Sequence, residues 1–122
     1  MLIDALQLLA ADAADQIRAF PSFVCIADEI ALTFNDAVLL CLQNAEEDGT
    51  PEWLVAAVKE IDEKFDALSG SVAPDFWTAA ALEDDVRWQE LRGSARKILG
   101  QLGAVRTLPT VHAVFASVDE QK

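Results

Sequence analysis

A chain of 122 residues with 52% hydrophobic and 25% charged side chains, five glycines and four prolines has the composition of one folded domain, neither disordered nor fibrous. Its formal net charge of −12 is uneven: residues 1–86 hold eighteen acidic and three basic side chains, whereas residues 87–106 hold one and five. Such an acidic body repels nucleic-acid phosphates and anionic membranes, so the expected partners are a basic protein or a small cationic ligand, with no nucleic acid and no membrane.

In chain order, Leu2, Ala5, Leu6, Leu9, Ala13, Ile17 and Phe20 recur at helical spacing and predict an amphipathic helix over Leu2–Phe20, stopped by Pro21. Ser22 is placed to cap a second helix. It runs to about Asn44, ahead of the acidic run Glu46-Glu47-Asp48 and a stop at Gly49. Thr50-Pro51-Glu52 then reads as a cap, first position and dipole-favoured acid of a third helix, to about Leu68, with Leu54, Ala57, Val58, Ile61, Phe65 and Leu68 on one line. Ser69-Gly70-Ser71 ends it, and Pro74, Phe76 and Trp77 mark a loop entering a short helical turn.

A fourth helix is predicted from about Leu82 to Leu102 through Trp88, Leu91, Ala95, Ile98, Leu99 and Leu102. Gly93 lies on its back, as a propensity cost or a close approach of another backbone. Beyond Gly103, "LPTVHAVFASV" is read as a helix begun at Pro109 in preference to an extended segment. The expected fold is all-α: a compact single-domain bundle of four to five helices over residues 1–122, with antiparallel neighbours and short connections.

The second helix is apolar on two sides. Phe23, Ile26, Ile30, Phe34, Ala37 and Cys41 form a core stripe, while Cys25, Leu32 and Leu39 recur every seven residues on another face, with Val24 and Leu42 beside them. Either this helix is central and covered on both sides, or its second face meets another protomer, most simply across a two-fold axis. Asp28 and Asn35 interrupt that face and need partners: a ligand, a basic group of a partner, or an internal contact with Arg87 or Arg92. Glu29, Thr33, Asp36 and Gln43 continue an ordinary solvated flank.

Patterns that carry chemistry are sparse. Glu60-x-x-Glu63-x-x-Asp66 resembles the helical acidic motifs of all-α nucleoside-triphosphate pyrophosphohydrolases, which implies a magnesium site. These carboxylates project away from the apolar line through Ile61, however, where ligands of a metal in a bundle core would face inward. His112 is the sole histidine, and no glycine-rich phosphate loop, zinc spacing or nucleophile elbow is present, so no cofactor is expected. Cys25 and Cys41, roughly 24 Å apart along one helix, cannot bond to each other. Trp53, Phe76 and Trp77 are candidate aromatics for a pocket mouth.

No apolar run reaches the roughly 18 residues of a membrane span, and "MLIDALQLLAADAADQ" lacks the basic start of a signal peptide, so a cytoplasmic protein is expected. The sequence thus reads as a small acidic binding protein that self-associates through Cys25, Leu32, Leu39 and Leu42, with Asp28 and Asn35 framing a pocket for a small or cationic ligand. The alternatives are a neutraliser of a basic protein and a magnesium-dependent nucleotide hydrolase.

Overall fold

A computed structural model describes residues 2–21, 25–69 and 72–103, and among them the chain is a helical bundle without strands. Its elements are α1 (Leu2–Ala10), α2 (Ala13–Arg18), α3 (Ile26–Asp48), α4 (Glu52–Ala67), a 3-10 turn (Pro74–Trp77), α5 (Ala79–Asp84) and α6 (Val86–Leu102). The expected start of the second helix at Ser22, with Phe23 and Val24, and the expected C-terminal helix, with His112, lie outside the described residues.

The predicted Leu2–Phe20 helix is broken after Ala10, and side chains from elsewhere explain the break. A continuing helix would use the carbonyls of Leu8, Leu9 and Ala10 for the next turn. Instead the Gln16 amide donates to Leu8 and Leu9 at 3.1 and 3.0 Å, and Arg96 Nε donates to Ala10 at 2.8 Å. Arg92, only 5% exposed, holds Gln16 in turn, donating to its Oε1 at 3.1 and 2.8 Å and also to the Leu82 carbonyl. Burial pushes the pKa of this guanidinium down, the Arg96 charge adding to the effect and the Asp12 carboxylate opposing it.

α1 packs between α3 and α6, and every residue from Ala5 to Ala10 is buried. It, and not the two-faced α3, is the covered helix of the bundle. α3 and α4 form an antiparallel hairpin around Gly49, whose φ of +67° closes α3 in the left-handed conformation that glycine adopts without strain. The expected roles at the start of α4 shift by one: Pro51 occupies the cap position, extended, and Thr50 precedes it.

The predicted Leu82–Leu102 helix is also two helices. Asp85 is extended at φ −78° and ψ 129°, and its carboxylate accepts from the Arg87 backbone N–H at 2.8 Å and from the Arg87 guanidinium at 2.6 and 2.9 Å. These hydrogen bonds hold the Asp85 carboxyl at a pKa of about 2. Thr78 caps α5 in the same way, accepting from the Ala81 N–H at 3.1 Å.

The core runs from Leu6, Leu8 and Leu9 of α1 through Ile30 and Phe34 of α3 and Val58, Ile61 and Phe65 of α4 to Trp88, Leu91 and Leu99 of α6. At one end it becomes an aromatic cluster. Phe76 stacks on Trp88 with centroids 4.5 Å apart, and Phe65 lies within 6.4 Å of Phe34, Phe76, Trp77 and Trp88.

Candidate functional site

A cleft of about 720 Å³ lies between α3 and α4. Each wall is one helical face at the i, i+3, i+4, i+7 spacing: Asp28, Ala31, Leu32 and Asn35 from α3, and Asp62, Phe65, Asp66 and Ser69 from α4 and the turn after it. Asn35 Nδ2 donates to Asp62 Oδ1 at 3.1 Å and ties the two walls together at one end. Pro74 and Trp77 of the 3-10 turn complete the lining.

Trp77 is fixed in place. Its ring packs edge-on against Phe76 at 4.8 Å, its Nε1 donates to the Leu68 carbonyl at 2.7 Å, and its own carbonyl accepts from the Cys25 thiol at 3.7 Å. The cleft therefore has an apolar surface of Leu32, Phe65, Pro74 and Trp77, beside three carboxylates, Asp28, Asp62 and Asp66. Among the described residues no lysine, arginine or histidine lines it. Such a cavity accepts an apolar body bearing a positive group and disfavours an anion.

The structure thus brings Asp28, Leu32, Asn35, Trp77 and Asp66 to one cleft and places the other sequence-predicted residues elsewhere. Phe76 is fully buried against Trp88, whose Nε1 donates to its carbonyl at 2.9 Å, so it serves the core and not a pocket mouth. Trp53 is 42% exposed and lines a separate groove of about 340 Å³ with Glu60, Lys97 and Gln101. Leu39 and Leu42 are exposed outside the cleft. Cys25 is exposed at the start of α3; Cys41 is half-buried, and burial, with Asp48 adding to it, pushes its thiol pKa up.

The internal partners expected for Asp28 and Asn35 are not the observed ones. Arg87 is engaged by Asp85 and, at 2.9 Å, by Asp75, while Arg92 is turned to Gln16. Nor do Glu60, Glu63 and Asp66 converge. Glu60 lines the Trp53 groove and pairs with Lys64 at 3.7 Å, Glu63 is exposed, and Asp66 faces the main cleft. Among the described residues no three His, Cys, Asp or Glu side chains are gathered to hold a metal ion.

Asp62, Phe65, Ser69 and Pro74 escaped the sequence reading of the site. Asp62 and Asp66 share one α4 face with Phe65 between them, a signal hidden by counting carboxylates every third residue. Among the described residues no helix is long and apolar enough to cross a membrane. No family model, no curated protein and no solved structure matches the chain.

Proposed function

We propose that the protein binds a small organic cation with an apolar body in the α3–α4 cleft. One observation carries the reading: an aromatic and aliphatic cleft of about 720 Å³ whose charged lining, among the described residues, consists of carboxylates alone. An ammonium group near Asp28 and Asp66 gains charge-assisted hydrogen bonds, while the body of the ligand displaces water from Leu32, Phe65 and Trp77. Because Asn35 occupies part of Asp62, the two rim aspartates supply most of the attraction.

A matched series tests this: phenethylamine, 2-phenylethanol and phenylpropionate, titrated while tryptophan emission and melting temperature are followed. The amine is expected to bind more tightly than the alcohol, and the acid least. Asp66→Asn combined with Asp28→Asn should weaken the amine about tenfold, the equivalent of one charge-assisted hydrogen bond. Equal response to amine and acid, or no response to any of the three, refutes the reading.

A further inference from the structure

α3 exposes a leucine stripe that the rest of the described fold leaves open. Leu32 is 58% exposed, Leu39 50% and Leu42 37%. Leu32 and Leu39 are seven residues apart, two helical turns or roughly 10 Å, and Leu42 lies one turn further on the same side. That is the anchor spacing by which one amphipathic helix seats on another.

The charge around the stripe selects its occupant. Between Ile26 and Asp48 stand six acids, Asp28, Glu29, Asp36, Glu46, Glu47 and Asp48, and no base. Projected at about 100° per residue, Asp28 and Glu46 fall within the stripe, between Leu39 and Leu42, and Glu29, Asp36 and Glu47 run along the edge beside Leu32. Among the described residues none of these six forms an ion pair, whereas Asp12, Asp15, Asp75 and Asp85 all do. A second copy of the chain would bring another acidic α3 against the first, setting like charges within the contact and along one edge of it.

We infer that the Leu32–Leu39–Leu42 face of α3 is a docking surface for a basic amphipathic helix of another protein, with leucine-like anchors on the stripe and lysine or arginine placed to meet Asp28 and Glu46 within it and Glu29, Asp36 and Glu47 along its edge. Leu32 and Asp28 belong to the cleft as well, whereas Leu39 and Leu42 lie outside it, so a change at Leu39 separates the two surfaces. The leucines supply apolar contact and the unpaired acids among and beside them supply steering, so association is salt-sensitive in rate.

The test uses the full chain and three synthetic peptides of about three heptads: leucine and lysine in register, the same composition scrambled so that no stripe forms, and leucine and glutamate in register. The in-register lysine peptide is expected to bind at least tenfold more tightly than the scrambled one, and the glutamate peptide not at all. Leu39→Glu should weaken the first at least tenfold yet leave phenethylamine binding at the cleft unchanged. Asp36→Lys with Glu46→Lys, which keeps the leucines, should weaken the lysine peptide and admit the glutamate one.

Light scattering of the free protein should give a monomer. Equal binding of the in-register and scrambled peptides reduces the effect to bulk charge and overturns the inference. So does unchanged binding in both variants, or a dimer that Leu39→Glu converts to monomer, which would make a second copy the occupant.

Discussion

Leu9 of α1 and Leu39 of α3 are the same residue type on helices that touch, yet one is wholly buried and the other half-exposed. α1 is short, lies between two neighbours and has lost one polar face, so Gln7 is buried with it. α3 is the longest helix, runs past its neighbours and keeps one side against the core and the other toward solvent. Apolar character on more than one side of a helix therefore has two outcomes in one molecule: complete coverage where elements converge, and an open stripe where they do not.

Truncating the two leucines separates these outcomes most sharply. Leu9→Ala should cost about 3 to 4 kcal/mol in denaturant unfolding, from lost transfer and the cavity left behind, whereas Leu39→Ala should stay within about 0.5 kcal/mol. Similar losses at both sites would mean that α3 is covered in solution. Next in size is Arg92→Ala, which leaves Gln16 Oε1 and the Leu82 carbonyl buried without their donor. About 3 kcal/mol is expected by the same measurement. Arg92→Lys should recover only part of that, because one ammonium cannot reproduce the planar fork that reaches both acceptors.

Gly93 tests the outward face of α6. A Cβ added there meets nothing within 4 Å, so Gly93→Ala should raise stability by about 1 kcal/mol through helix propensity. Among the described residues the close backbone approach considered from sequence does not occur.

Smallest is Asp85→Asn, which keeps a good capping side chain but loses the charge toward Arg87, at about 0.5 kcal/mol near neutral pH. The folded pKa of about 2 lies below the ordinary aspartate value. The contribution is thus fully present above about pH 4 and is lost as pH falls toward 2. Wild type and variant melting curves should converge over that window.

The apolar periodicities of α4 and α6 were readable directly, because Leu54, Val58, Ile61 and Phe65, and Trp88, Leu91, Ala95 and Leu99, point at one core from one side. What the pattern could not say is which neighbour covers which face. The stripe of Leu2–Phe20 continues across a break imposed by Arg96 and Gln16, and no local rule announces an arginine some eighty residues away taking a helix carbonyl. The cleft was half legible for a similar reason. Asp28, Leu32 and Asn35 stood out as polar groups among leucines on one helix, but the opposing Asp62, Phe65 and Asp66 became a wall only once the α3–α4 hairpin set the two faces against each other.

The contacts of Arg92 and Arg96 with Gln16 and Ala10 also order events in time. They join sites 76 and 86 residues apart in sequence, so closing them carries the entropy of a loop nearly as long as the described domain. During synthesis, α1 leaves the ribosome first and waits for α6 before its leucines are enclosed. Until Arg96 has emerged, the Ala10 carbonyl lacks its native donor, and of the three side-chain bonds at the break only those from Gln16 to Leu8 and Leu9 can form.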